Sequence, residues 1–261
     1  MLTSVKNPKV AAAVRLRKRT FRDAEKRFLV EGNQGVREAL EIPGGLEILF
    51  TTQMSEPAAT RARDLGIEVH EVSGDVMSRL TATVTPQGLV AVAPFRDISL
   101  SQMPSEGCLC VLHEVRDPGN AGMVIRSADA AGAGGVVFSE TSVDLYNPKT
   151  VRASAGSLFH LPITKGLDTP DALASLKGRG FRVLAMAADG QAELYRCDMT
   201  GPVVFLLGNE AHGLPSEVRA LADQVVRVPI AGKAESLNLA AAATVCSVSY
   251  THLTLPTKRI V

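Results

Sequence analysis

The 261-residue chain has no tryptophan, and aromatic residues of all kinds make up only 4%. Its core must therefore come from Ala, Val, Leu and Ile, which the 46% apolar content supplies. No apolar run reaches the roughly 18 residues of a membrane span, so no membrane partner is expected. Lys6 and Lys9 are followed by no apolar core, so no secretory signal is expected and the cytoplasm is the default compartment. The four cysteines, Cys108, Cys110, Cys197 and Cys246, include no Cys-x-x-Cys pair, which argues against zinc-ribbon and thioredoxin-like sites. The five histidines form no metal-spaced pair, and no metal is expected. Two glycine patterns fall short of nucleotide motifs. Gly132-Ala133-Gly134-Gly135 precedes a strand instead of following one and lacks the third glycine of a dinucleotide fingerprint. Gly208 and Gly213 have Walker A spacing, but Leu214-Pro215 replaces Lys-Ser/Thr.

Net charge is also nearly absent, at +1, but it is unevenly spread. Residues 1–30 hold nine Lys/Arg against Asp23 and Glu25, a local +7 that leaves −6 on the other 231 residues. A basic end on a near-neutral chain fits either a polyanion partner or a solvated helix face.

What is present is two α/β series. Residues 7–20 read as a basic helix. Short strands at 28–32, 46–51, 67–72 and 88–93 alternate with helices at 36–40, 57–65 and 76–80, a small α/β unit over residues 1–95. The stretch 96–107, with Pro104 and three serines, reads as a linker. A second series follows over 108–246, with strands at 108–114, 135–138, 181–187, 203–207 and 224–228. Its helices lie at 120–133, 170–178, 215–221 and from about 237. Near-continuous apolar runs such as Val203-Val204-Phe205-Leu206-Leu207 suit a parallel sheet buried on both faces. From Ser247 the sequence turns β-branched and polar, and residues 247–261 are expected to be an atypical, non-native tail.

Three segments carry chemistry-bearing residues at short turns. In the first, Asn120 is placed to cap the following helix, and Gly122 and Arg126 share a face one turn apart. By residue type alone, Arg126 either faces a ligand beside Gly122 or pairs with Asp129. In the second, Gly208 and Glu210 follow a buried strand at the end where α/β sheets bind ligands. A tight turn with a solvated Glu is the plainer reading. In the third, Ser236 and Asn238 precede an Ala-rich helix, and either residue is placed to cap it.

Taken together, Asn120-x-Gly122-x-x-x-Arg126, Gly208-x-Glu210 and Ser236-Leu237-Asn238 resemble the three motifs of the SpoU (TrmH-type) RNA ribose 2′-O-methyltransferases. The resemblance implies a parallel α/β methyltransferase domain with a trefoil knot, preceded by a small α/β RNA-binding domain. It implies S-adenosylmethionine as cofactor, RNA as substrate (rRNA more than tRNA) and a homodimer through the knotted domain. Carried over by residue, Arg126 is catalytic, and Asn120, Glu210, Ser236 and Asn238 are its polar support. Gly208, Ile230 and Leu239 hold the cofactor, with Leu237 and Gly232 in the same loops. Arg15, Arg17, Lys18, Arg19, Arg22 and Arg27 are expected to contact RNA, as is Arg152 within a family-like segment, 147–156. Asn209 stands where the family more often has Ser. The rival readings are a non-catalytic RNA-binding protein on this scaffold, a methyltransferase acting on a base, and a small-molecule α/β enzyme. Cofactor binding and the site of methylation separate them.

Overall fold

Pro8 opens the first helix, α1 (Pro8–Arg15), where its missing N–H is not needed, and the Asn7 side chain caps the helix by accepting from the Lys9 N–H at 3.0 Å. The sequence predicts one helix over 7–20, but the computed structural model, which describes residues 1–254, breaks it. The chain turns through Leu16–Lys18 before α2 (Arg19–Glu25). Arg22 is the cause. Its buried guanidinium donates to the Leu16 and Arg17 carbonyls, each at 2.9 Å, so neither serves a continuous helical ladder.

The first unit continues through β1 (Arg27–Glu31), α3 (Asn33–Leu40), β2 (Ile48–Thr51), α4 (Pro57–Asp64), β3 (Glu68–Glu71), α5 (Gly74–Leu80) and β4 (Leu89–Pro94). Its sheet runs β1-β4-β2-β3, with β2 and β3 parallel and the other pairs antiparallel. On one face Val10, Ala13 and Leu16 of the first helical segment meet Val76, Met77 and Leu80 of α5 over Leu29, Phe50 and Val90.

The stretch read as a linker is structured. The Ile98 N–H donates to the Ile163 carbonyl at 2.9 Å, Met103 is buried, and Arg179 donates to the carbonyls of Leu100, Met103 and Pro104. Contacts accordingly group Asp97–Val143 with the chain from Leu161 onward, and Met1–Arg96 with Asp144–His160. The second unit begins with β5 (Cys108–Leu112), α6 (Pro118–Ala130) and β6 (Gly135–Ser139). The next helix, α7 (Pro148–Ala153), falls in the first unit. The second unit resumes with β7 (Ile163–Leu167), α8 (Thr169–Gly178), β8 (Arg182–Met186), β9 (Ala192–Glu193), β10 (Val203–Leu207), α9 (Ser216–Arg219), β11 (Gln224–Arg227) and α10 (Leu239–Thr254).

All seven strands are parallel, in the order β7-β6-β5-β10-β8-β11-β9. Two of them, β7 and β9, go beyond the sequence reading. Gly166 and Lys165 interrupt the apolar pattern of β7, and β9 has only two residues. One face of the sheet presents Leu109, Val111, Val183, Val204 and Leu206 to Leu173 and Leu176 of α8 and to Val218 of α9. The other presents Cys110, whose Sγ lies 3.6 Å from the Ser247 hydroxyl of α10.

α10 runs past Ser247, where the sequence turns β-branched and polar, on to Thr254, with Ser247 buried. Its β-branched residues fit because their hydroxyls bond back one turn: Thr244 to the Ala240 carbonyl at 2.7 Å, and Thr254 to that of Tyr250 at 2.7 Å. Thr251 also donates to Ala131 at 2.6 Å, tying α10 to the end of α6. The rest of the suspected tail, 255–261, lies outside the described residues.

Candidate active site

Strands β5, β10, β8 and β11 lie side by side, and the loops leaving their C-terminal ends meet at one place. In an open parallel sheet this is the end at which ligands bind. After β5 the chain turns through 113–117. Burial lowers the pKa of His113, keeping its imidazole neutral at pH 7, and its Nδ1 lies 2.8 Å from the Thr169 hydroxyl. Asp117 then caps α6 by accepting from the Asn120 N–H at 2.8 Å, with Pro118 at the first helical position. The cap is thus Asp117, not Asn120 as the sequence reading had it. A side chain that had been free to cap is released to do something else.

That side chain joins the other two segments. Asn120 Nδ2 donates to Glu210 Oε1 at 3.1 Å, and Asn120 Oδ1 accepts from Asn238 Nδ2 at 3.0 Å. Asn238 Oδ1 accepts the Ala240 N–H at 2.9 Å, which makes Asn238, and not Ser236, the residue that caps α10. The Glu210 carboxylate also accepts the backbone N–H groups of Arg116 and Asp117, each at 3.1 Å. Partial burial raises the pKa of Glu210, but these donors outweigh it and the net shift is downward. Asn209 Nδ2 donates to the Glu114 carbonyl at 2.9 Å, and its Oδ1 accepts from Ala211 and His212. Glu114 itself holds φ +54°, a left-handed conformation costly for a side-chain residue. Asn209 and the Ser139 hydroxyl, which accepts its N–H at 3.1 Å, hold Glu114 there. The sequence reading missed both the Arg116–Asp117 amide grip and the tie from Asn209. Asp117-Pro118-Gly119 carries a helix-start signature that could have located the first of them.

Beside this chain of side chains lies a cavity of about 450 Å³, within the usual range for small-ligand sites. Asn120, Gly208, Glu210, Ile230, Ser236, Leu237, Asn238 and Leu239 line it, as do Met186, Ala187 and Ala188 at the end of β8 and just beyond it, a wall that sequence reasoning did not find. At Gly208 a Cβ would meet the Gly213 carbonyl oxygen at 2.5 Å, so only glycine lets the loop fold back there. The segment 229–237 makes no backbone–backbone hydrogen bond among the described residues, which leaves N–H and C=O groups for a ligand. Ile230 and Leu237, 36% and 39% exposed, offer apolar surface at the rim. Backbone donors and acceptors between apolar side chains suit a planar adenine and a polar tail, and S-adenosylmethionine fits this set.

The model of the SpoU rRNA Methylase family matches residues 107–248. The chain belongs to that family. The model of an MRM3-like substrate binding domain matches residues 7–91. Among relatives of this SpoU-family chain, the 23S rRNA (guanosine(2553)-2'-O)-methyltransferase RlmP of Bacillus subtilis is 34% identical over 245 residues, 94% of this chain and 96% of that protein. The 23S rRNA (uridine(2479)-2'-O)-methyltransferase of Streptomyces viridochromogenes is 34% identical over 229 residues, covering 83% and 79%. The crystal structure of an AdoMet-bound rRNA methyltransferase from Sinorhizobium meliloti matches with a TM-score of 0.87 at 34% identity over 98% of each chain.

Two of the residues carried over from the SpoU motifs stand apart from the cavity. Arg126 is exposed on α6, one turn and a half beyond Asn120, does not line the cavity, and makes no hydrogen bond or ion pair among the described residues. It therefore does not pair with Asp129. Gly232 is exposed in the 229–237 loop and also lies off the cavity wall. Ser236 reaches the wall with no hydrogen-bond partner among the described residues.

The basic set of the first unit is largely engaged. Arg22 is buried against Asp144, which corrects its expected role as an RNA contact. Arg27 pairs with Glu47 at 2.6 Å, Arg19 with Asp23 at 3.4 Å, and Arg152 with Glu31 at 3.1 Å. Arg15 lies 4.0 Å over the Phe21 ring, and Arg17 donates to the Arg79 carbonyl at 3.3 Å. Only Lys18 of this set is exposed with no partner among the described residues. No group of three His, Cys, Asp or Glu side chains is placed to hold a metal among the described residues, and no helix there is long and apolar enough to cross a membrane.

Proposed function

We propose that this SpoU-family protein transfers a methyl group from S-adenosylmethionine to a ribose 2′-hydroxyl of RNA, ribosomal RNA in preference to transfer RNA. The observation that carries the reading is the Asn238–Asn120–Glu210 hydrogen-bonded chain. It draws residues from three distant segments to the mouth of one cavity. Two relatives named for 2′-O-methylation of 23S rRNA support ribose as the target and rRNA as the substrate.

The bound cofactor supplies an electrophilic methyl group on a sulfonium. Gly208, Ile230, Leu237 and Leu239 hold it through backbone groups and apolar contact. Asn120, fixed from both sides, presents a rigid polar edge to the reacting ribose, so alignment is set before substrate arrives. Glu210 acts as the anchor of that edge; its oxygens are committed to three donors, which leaves it poorly suited to accept a proton. Ser236, at the cavity wall, donates to the substrate. Arg126 brings a guanidinium to the exposed face of α6. It holds the phosphate next to the target ribose and stabilises the charge that develops on the 2′-oxygen.

The finer architecture follows the family: a trefoil knot in the methyltransferase domain and a homodimer built on it, with cytoplasmic action where ribosomes are assembled. Exposed apolar residues on the paired helices α6 and α10, Met123 and Val248, fit a buried dimer face. The test of the whole reading is Arg126→Ala. Labelled-methyl transfer to unmodified rRNA should fall at least a hundredfold while S-adenosylmethionine binding, read by calorimetry, stays within about twofold. A variant that keeps near wild-type turnover removes Arg126 from the reaction.

A further inference from the structure

The first unit holds a cavity of about 200 Å³ that is separate from the cofactor site. Its walls come from the end of β1 with the turn after it, from loop 81–89, and from the segment around α7. Two charged side chains line it, Glu31 and Arg152, and they neutralise each other. Glu31 is nearly fully buried. One carboxylate oxygen accepts from Arg152 at 3.1 Å, and the other accepts the Ala82 N–H at 2.9 Å. Arg152 is about a third exposed, so the N–H groups that Glu31 does not take remain on offer. The rest of the polar lining is uncharged. Gln87 Oε1 accepts the Asn33 N–H at 3.0 Å, which fixes the amide and leaves its two Nε2 hydrogens without a partner among the described residues. The hydroxyls of Thr83 and Thr85 have no partner among the described residues.

The chemistry of that lining discriminates between ligands. A phosphate is held by unneutralised Lys or Arg charge, and here the one guanidinium already faces a buried carboxylate. Fixed amide and guanidinium donors beside free hydroxyls instead match the edge of a nucleobase, which presents carbonyl and ring-nitrogen acceptors next to amino donors. The volume suits one base and excludes a stacked pair. Two of its walls are packed too closely for a side chain. Gly32 at φ +89° and Gly156 at φ +97° stand there, where a Cβ would meet Gln87 Oε1 at 2.9 Å and the Glu38 side chain, respectively.

We propose that this cavity reads one unpaired base of the RNA substrate, through Arg152 and Gln87 with Thr83 and Thr85, at a nucleotide other than the methylated one. The inference rests on the RNA substrate assigned under Proposed function. Its consequence is that the first unit contributes sequence selection in addition to charge.

The test uses the full chain and an unmodified 23S rRNA transcript, probed with dimethyl sulfate and carbodiimide at base-pairing edges, with and without protein. Wild-type protein should protect one nucleotide besides those at the methylation site. The double variant Thr83→Ala, Gln87→Ala should lose that protection alone and raise KM for the RNA about tenfold, with S-adenosylmethionine affinity unchanged. Gln87→Glu, which replaces donors by acceptors, should lose the same protection. Protection and KM that match wild type in both variants overturn the base-reading site. Failure of the wild-type protein to methylate any RNA overturns the underlying function instead, and the two failures are told apart by the wild-type assay. A melting temperature within a few degrees of wild type checks that each variant folds.

Discussion

Asn120 is the residue on which the site depends, because both of its side-chain atoms are engaged: one holds Glu210 and the other is held by Asn238. Asn120→Ala should slow methyl transfer to unmodified rRNA about tenfold at saturating S-adenosylmethionine, or ~1.4 kcal/mol, because the polar edge that aligns the ribose is lost. Asn120→Asp should be worse at pH 7, because it sets a second carboxylate against Glu210, and the gap between the two variants should narrow below pH ~4 as the carboxylates protonate. Glu210 carries its own pH signature. Its folded pKa lies below the ordinary carboxylate value, so its contribution to stability is present above pH ~4.3 and is lost as pH falls through the lower folded value. Urea unfolding of wild type and Glu210→Gln should therefore differ at pH 7 and converge in acid. A difference that instead grows as pH falls contradicts the assigned direction. Because Glu210 is largely exposed, the difference at pH 7 should be small, about 1 kcal/mol.

At the scale of elements, the first two helices depend on one buried arginine. Arg22 satisfies two carbonyls at the break and pairs with Asp144, whose side chain is also buried. Arg22→Ala should destabilise the protein by about 3–5 kcal/mol in denaturant unfolding, since it leaves Asp144 buried and unpaired. A loss below about 1 kcal/mol would show the pair to be dispensable. This break could not be read from the sequence, in which residues 7–20 carry no turn former after Pro8 and the deciding group arrives from a later turn. The strands of the second sheet were legible where apolar runs are continuous, as in β5 and β10. They were not legible in β7, whose interior Lys165 and Gly166 are tolerated because β7 stands at the edge of the sheet. The site was legible as three residue patterns, through their resemblance to a family. Their hydrogen bonds were not, because Asn120 and Asn238 both look like helix caps and only Asn238 is one. The continuation of α10 past Ser247 was hidden for a related reason: threonine and serine read as helix-breaking until their hydroxyls are seen bonded within the helix and to Ala131.

For the molecule as a whole, the charge asymmetry that fits a polyanion partner is partly consumed: of the nine basic residues in 1–30, Lys9, Arg19, Arg22 and Arg27 sit in internal ion pairs of the first unit. RNA affinity should then depend on salt less steeply than nine basic residues at the N-terminal end would give. A plot of log affinity against log salt for unmodified rRNA should show a slope that corresponds to only a few phosphate contacts. A slope near the full count would mean that the internal pairs open on binding. The parallel sheet supplies the loops that line the larger cavity from four adjacent strands, and the smaller sheet belongs to a unit matched by a substrate-binding model. The account's central claim is ribose methylation of ribosomal RNA. The most direct test gives the protein labelled S-adenosylmethionine with unmodified rRNA and, separately, unmodified tRNA, followed by alkaline hydrolysis of the product. The account predicts label in rRNA, recovered in a dinucleotide because a 2′-O-methyl group blocks cleavage at its own linkage. Label recovered in a mononucleotide would place the methyl group on a base and contradict it.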